Sequence, residues 1–259
     1  IVCENWRNLI SVGAMPIAIT NCLNFGNPED SEIMGQFVEC VLGIKEACEF
    51  LDYPVVSGNV SFYNGTNKKS IHPTPVIGGV GLITNINNKI NQYLKKDGNI
   101  ILQVGKNFGQ LSQSIFLEEI YSITDGPPPE INLSNEKNNG LMVLKLINSK
   151  LVSSVHDVSS GGLIICLAEM TFNSGFGIKI DKPKKLSNLM EYCFSEDQGR
   201  YLIEIESHNL KKVKKILDEN NIFNETVGSV QKDYFEMTGE FKISINDLYK
   251  INSTWYNNL

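Results

Sequence analysis

A chain of 259 residues with 42% hydrophobic and 20% charged residues can bury the core of one large domain or two ordinary ones. Its net charge of −6 gives no overall attraction to nucleic acid or an anionic membrane, and no apolar run reaches the roughly 18 residues that span a bilayer. The six cysteines, at 3, 22, 40, 48, 166 and 193, form no CxxC pair and lack zinc spacing; they read as reduced, mostly buried thiols of a cytoplasmic protein.

The chain opens on Ile1-Val2-Cys3-Glu4, inside a helical pattern without Met or a cap, and so reads as part of a longer protein. That pattern covers 3–12 and ends near Gly13, a suitable C-terminal residue. Pro16 precedes a strand at 17–20 and the polar loop 24–28. A long amphipathic helix follows, with apolar positions at Met34, Phe37, Val38, Val41, Ile44, Cys48 and Leu51. Pro54 leads a second strand into Gly58-Asn59-Val60-Ser61, and 76–83 reads as a glycine-rich third. The Asn- and Lys-rich stretch 85–97 marks a junction, dividing the chain into domains 1–88 and 89–259.

Beyond the junction come a strand at 100–104, a glycine loop, a helix around 111–121 and the rigid turn Pro127-Pro128-Pro129. A helix at 136–149 and a strand at 151–155 lead into His156-Asp157-Val158-Ser159-Ser160-Gly161-Gly162, where a helix starts that runs to about Phe172. Strands at 177–181, 201–205, near 225–229 and 241–245, with a helix at 209–220, complete the pattern. Some strands follow each other directly, which favours a layered α+β fold over a strictly parallel sheet. Lysine pairs near 68, 95, 184, 211 and 214 read as solvated faces.

Four segments can carry chemistry. In Ser57-Gly58-Asn59-Val60-Ser61, Gly58 permits a close backbone approach, Asn59 offers an amide oxygen suited to Mg²⁺, and Ser61 falls on the same strand face as Asn59. The alternative is a β-turn that uses Gly and Asn for positive φ. In Asn21-Cys22-Leu23-Asn24-Phe25-Gly26-Asn27-Pro28, Asn27 suits a helix cap before Pro28, while Asn21 closes a strand and can face a ligand. Asp157 and Ser159 stand between a strand end and a helix start, where a metal and a phosphate can be held, or where a plain cap suffices. Glu4 and Asn8, four apart, share a helix face, as a cation site or as ordinary surface. No GxSxG, Walker lysine or zinc set supports a hydrolase or P-loop reading.

Taken in order, the run from Ala18 to Pro28, Ser57 to Asn64, His72-Pro73-Thr74-Pro75-Val76-Ile77-Gly78-Gly79-Val80-Gly81, His156 to Leu163, and Phe194-Ser195-Glu196-Asp197-Gln198-Gly199-Arg200-Tyr201 resemble the second half of the phosphoribosylformylglycinamidine synthases, small-type synthetase subunit. The resemblance spans nearly the whole chain, with Ile243 to Trp255 similar to the family's C-terminus. It implies an aminoimidazole-ribonucleotide-synthetase-like fold: a partial N-terminal-type α/β domain, then a C-terminal-type α+β domain. The activity implied is ATP-dependent conversion of the amide of formylglycinamide ribonucleotide to its amidine in purine biosynthesis. Implied partners are a glutaminase subunit that supplies ammonia, a small accessory subunit, and the N-terminal half of the same chain.

By position, the resemblance makes Asn21 and Gly58 ATP contacts, Asn59 a Mg²⁺ ligand and Ser61 a substrate contact, together one wall of the site. It matches Glu4, Asn8, Asp157 and Ser159 to an auxiliary nucleotide and its metal in longer relatives. The family's catalytic histidine lies in the first half, so none of His72, His156 or His208 fills that role, and this portion alone is expected to be inactive. Two rival readings are a related superfamily enzyme (a cyclo-ligase, selenophosphate synthetase or small-molecule kinase) and a non-enzymatic scaffold half that holds a structural nucleotide and docks the glutaminase. The run Ile19 to Pro28 speaks against the former.

Overall fold

The structure is a computed structural model, and it describes residues 1–67, 69–183 and 188–255. The chain divides into two units: Ile1–Ile10 with Ala14–Thr84, and Ser11–Gly13 with Asn85–Leu259. Lys68 and the pair at 184 lie outside the described residues.

The first unit contains α1 (Val2–Ser11, apart from its last residue), β1 (Met15–Asn24), α2 (Ser31–Leu51), β2 (Val55–Ser61), the short pair β3 (Gly65–Thr66) and β4 (Lys69–Ser70), and β5 (Thr74–Leu82). Its three-stranded sheet has the order β2-β1-β5, parallel between β1 and β2 and antiparallel between β1 and β5. On α1, Val2, Cys3, Trp6 and Ile10 are buried while Glu4 and Asn8 are exposed, the one-sided pattern that a helix on a sheet requires. The glycines of β5 admit this packing: a Cβ at Gly79 would stand 2.0 Å from Asn5 Oδ1 and 2.2 Å from the Tyr53 hydroxyl. Tyr53 donates to Asn5 Oδ1 at 2.7 Å, so the close approach is also a hydrogen bond.

Asp30 caps α2 by accepting from Glu32 N–H, and Asp52 ends it in the left-handed conformation. The expected cap at Asn27 is therefore corrected. Asn27 Oδ1 accepts from Glu29 N–H and its carbonyl from Asp30 N–H, forming a turn ahead of the helix. Ile44, Ala47, Cys48 and Leu51 of α2 are buried, and an edge-to-face chain of Phe25, Phe37 and Phe62 ties the helix to the strand ends.

The second unit contains β6 (Ile100–Val104), α3 (Ile115–Tyr121), α4 (Leu133–Asn148), β7 (Ser154–Asp157), α5 (Gly162–Thr171), β8 (Gly177–Ile180), α6 (Leu189–Phe194), β9 (Tyr201–Ile205), α7 (Leu210–Glu219), β10 (Asn224–Gln231), β11 (Tyr234–Met237), β12 (Phe241–Ser244) and α8 (Ile245–Thr254). Its seven-stranded sheet runs β12-β11-β8-β10-β6-β9-β7, antiparallel except between β11 and β8. Every residue of β9 is buried, as expected for a central strand covered on both faces. A cluster that includes Ile101, Leu163, Leu167, Met170, Ile178 and Leu202 forms the core between α5 and the sheet. Glu204 is buried in β9, where its carboxylate accepts from Asn99 Nδ2, the Ser154 hydroxyl and the backbone N–H groups of Lys95 and Lys96.

The strand expected at 151–155 lies at Ser154–Asp157, because Leu151 closes the preceding helix with its N–H on Leu146 O. α6, β11 and α8 had no counterpart in the sequence reading. Among the described residues no helix is long and apolar enough to cross a membrane.

Candidate functional site

Gly58 and Asn59 lie inside β2, and neither has a positive φ, which removes the β-turn reading of this segment. A strand sets their directions. Asn21 of β1 is in register with Gly58, and Cys22 with Asn59. In-register neighbours share a face and successive residues alternate, so Asn59 and Ser61 lie with Cys22 on one face while Asn21 lies on the other. The expected single wall is thus divided over the two faces of the β1–β2 pair. On the Asn21 face, its side-chain oxygen occupies the space a Cβ on Gly58 would take, 2.1 Å away. β2 is an edge strand of this sheet, and Gly58 and Asn59 are both exposed.

On its own face, Asn21 borders a cavity of about 700 Å³ between the strands and α2, lined also by Leu23, Ile44, Lys45, Tyr53 and Val55. This lining is mostly apolar, with the Asn21 amide, the Lys45 ammonium and the Glu49 and Asp52 carboxylates as its polar groups, a composition that suits a flat heteroaromatic group. Tyr53 beside it stays a neutral phenol, since burial and the neighbouring Cys48 push its pKa up to about 12.

On the opposite face, Asn59 stands next to Cys22, and Asn24 Nδ2 lies 3.5 Å from Cys22 Sγ. Ser61 is half-buried against Asn64, whose Nδ2 donates to Ser61 Oγ at 3.1 Å. Neutral amide and hydroxyl oxygens fit Mg²⁺, which draws most of its ligands from phosphates and water. Among the described residues no three His, Cys, Asp or Glu side chains gather as a metal cage. The donor set therefore fits a metal that arrives with a polyphosphate.

The auxiliary candidates are placed as follows. Glu4 and Asn8 are exposed on α1 in the first unit. Asp157, in the second, is 5% exposed; its Oδ1 accepts from the Ser11 hydroxyl at 3.4 Å and lies 3.6 Å from His156 Nδ1. His156 Nε2 also pairs with Glu169 at 2.9 Å. Burial draws the imidazole pKa down, but Cys166, Asp157 and Glu169 outweigh it and raise it to about 12. Ser159 is half-buried, and its carbonyl accepts from Gly162 N–H. The N-cap of α5 is Gly161, which makes no side-chain cap bond, so neither Asp157 nor Ser159 is a plain cap of this helix.

Sequence reasoning missed the part played by Glu196 and Asp197. Glu196 Oε1 accepts from Gly161 N–H at 2.8 Å and Ile115 N–H at 2.9 Å. Asp197 Oδ2 accepts from Phe108 N–H at 2.9 Å and Gly109 N–H at 3.0 Å. Two adjacent carboxylates thus pin two connections of the second unit, the one between β6 and α3 and the one before α5. Arg200, fully buried, donates to the carbonyls of Asp197 and Ser195 and fixes the segment that carries them. A run of acidic residues followed by a buried arginine was the available signal, but nothing in the sequence told which backbone it would meet.

Residues 1–83 match the family described as AIR synthase related protein, N-terminal domain, and 96–238 its C-terminal domain. The phosphoribosylformylglycinamidine synthase subunit PurL of Pelagibacter ubique is 54% identical over 258 residues, which cover 100% of this chain and 35% of that protein. The chain therefore spans about a third of the length of such relatives. Among solved structures, Thermotoga maritima PurL complexed with ATP superposes with a TM-score of 0.70 at 15% identity, covering 95% of this chain and 40% of that one. The same protein complexed with FGAR gives a TM-score of 0.72 at 15% identity, covering 95% and 42%. At that identity the likeness establishes the fold, an α+β arrangement of the AIR synthase type.

Proposed function

This chain belongs to the AIR synthase related protein family, and from that premise we propose that it is the C-terminal half of a phosphoribosylformylglycinamidine synthase synthetase subunit. The reaction is ATP-dependent: the amide oxygen of formylglycinamide ribonucleotide takes the γ-phosphoryl group, and ammonia then displaces phosphate to leave the amidine. The first unit serves as a partial N-terminal-type ATP-binding domain within 1–88, and the second as a C-terminal-type domain within 89–259. A glutaminase subunit supplies the ammonia, a small accessory subunit joins the complex, and the work is done in the cytoplasm. Support for these assignments comes from the 54% identity with the Pelagibacter ubique PurL.

The observation that carries the site is the close contact of Asn21 with the bare Cα of Gly58 at an edge strand. The missing side chain at Gly58 lets the Asn21 amide lie against the β2 backbone, with Asn21 on one face and Asn59 and Ser61 on the other. Asn21 and Gly58 bind ATP, and Asn59 holds Mg²⁺ through its amide oxygen. Bound there, the ion would supply charge neutralisation to the phosphates. Ser61 presents its hydroxyl to the acceptor substrate, fixing it relative to the nucleotide; such positioning is the main contribution a protein makes to phosphoryl transfer. The auxiliary nucleotide and metal role of Glu4, Asn8, Asp157 and Ser159 rests on the resemblance alone, since the Asp157 carboxylate is held inside its unit by Ser11.

The test is amidine formation by the full-length protein from formylglycinamide ribonucleotide, MgATP and ammonium. Turnover dependent on ATP and Mg²⁺ supports the proposal; ATP consumption without amidine rejects it in favour of another reaction. Turnover by residues 1–259 alone would refute the assignment of catalysis to residues outside this portion.

A further inference from the structure

Asn64 is three residues beyond Ser61, and neither the motif nor the fold requires an amide there for turn geometry. The left-handed residue of this loop is Tyr63, with φ of 61°. The Asn64 side chain is half-buried and points back at the strand end. Its Nδ2 lies 3.0 Å from the Ser61 carbonyl, 3.1 Å from the Phe25 carbonyl and 3.1 Å from Ser61 Oγ, and its Oδ1 lies 3.3 Å from the same hydroxyl.

The three acceptors differ in how much they depend on this amide. The Phe25 carbonyl also accepts from Asn64 N–H, and the Ser61 carbonyl from Phe25 N–H. Tyr63 N–H on Gly26 O closes the same loop. Those backbone bonds hold the turn whatever side chain stands at 64. Among the described residues, Ser61 Oγ has only the Asn64 amide to fix its rotamer.

We propose that Asn64 is a positioning residue for the Ser61 hydroxyl, an inference that rests on the reading of Ser61 as the acceptor-substrate contact. The amide meets the hydroxyl with both of its polar atoms, Nδ2 donating to Ser61 Oγ at 3.1 Å and Oδ1 accepting from it at 3.3 Å, and so sets the rotamer in which the hydroxyl faces a ligand. An aspartate at 64 has acceptor oxygens only: it loses the bond donated to Oγ and adds a negative charge beside the site of an anionic nucleotide substrate.

The experiment is a steady-state double-mutant cycle in the full-length protein, with formylglycinamide ribonucleotide and MgATP varied separately. Asn64→Ala is expected to raise the KM for the ribonucleotide by roughly tenfold, with the KM for ATP and the melting temperature unchanged. Asn64→Asp is expected to lose more of kcat/KM than Asn64→Ala. In a Ser61→Ala background, Asn64→Ala is expected to add less than about twofold, because the group it orients is gone. A full Asn64→Ala effect in that background, an equal rise in the KM for ATP, or an unaffected Asn64→Ala enzyme overturns the inference. So does a Ser61→Ala enzyme with wild-type kinetics, which would remove the substrate contact but leave the ligase reading standing. A wild-type protein that forms no amidine overturns both together.

Discussion

The side-chain oxygen of Asn21 stands where a Cβ on Gly58 would be, at 2.1 Å, so the two in-register residues of β1 and β2 share one volume. The glycine is required by this contact and by no unusual torsion, since its φ is not positive. Gly58→Ala is expected to destabilise the first unit by ~1–3 kcal/mol through overpacking, and to weaken ATP binding by turning Asn21 aside. In the double variant Asn21→Ala/Gly58→Ala the clash disappears: urea unfolding should show stability restored, while ATP titration should show affinity still lost. Stability that stays low in the double variant would place the strain elsewhere.

Thiol chemistry should separate Cys22 from the buried cysteines. Cys22 is exposed on the Asn59 face, whereas Cys48, Cys166 and Cys193 are buried. Burial raises the pKa of each of these three, that of Cys193 to about 11, so little thiolate is present near neutral pH. Iodoacetamide at pH 7.5 is expected to label Cys22 first, with Cys166 and Cys193 labelled only after unfolding, as peptide mass spectrometry would read. Early labelling of Cys166 would mean that α5 opens readily.

The Glu196 carboxylate is expected to hold the start of α5 and of α3 together. Replacing it with Ala removes an acceptor from Gly161 and Ile115, at a cost of ~1 kcal/mol for each bond. Amide hydrogen exchange at both residues should quicken by about five- to tenfold, while Glu196→Gln, which keeps an acceptor oxygen, should protect them. Exchange unchanged in Glu196→Ala would show that the loops are held by packing alone.

Glu225 supplies a pH dependence. Burial pushes its carboxyl pKa up, with Arg200 pulling it partly back, so the folded chain holds this proton more tightly than the unfolded one. Its contribution to stability accordingly falls as pH rises from the ordinary carboxylate pKa through the raised one, then stays level. Glu225→Gln is expected to melt above the wild type at pH 7, with the advantage shrinking towards pH 4. An advantage that grows on acidification would reverse the sign and refute the burial argument.

Much of the first unit was legible because its signals are local. Alternating apolar residues mark β1, a long 3.6-residue period marks α2, and glycines mark β5 where α1 approaches. Asn59 and Ser61 could be placed on one face from spacing alone. The opposite facing of Asn21 could not, because it follows from the register between two strands, which the sequence of either one leaves open. In the second unit, α6 is only six residues long and its pattern is too brief to show a period. β11 and α8 escaped for a similar reason: short apolar runs near the end fit strand and helix equally well. The Glu196–Asp197 clamp joins segments more than 30 residues apart, and such a pairing is decided by the tertiary fold.

The central claim is that the exposed β2 edge binds MgATP through Asn59. Its most direct test is Mg²⁺-dependent ATP titration and turnover of full-length Asn59→Ala beside the wild type, with thermal melting as the control for folding. The account predicts an unchanged melting temperature, ATP affinity that no longer responds to Mg²⁺, and a loss of turnover of about 100-fold or more. Wild-type turnover and a wild-type Mg²⁺ response in Asn59→Ala would contradict it.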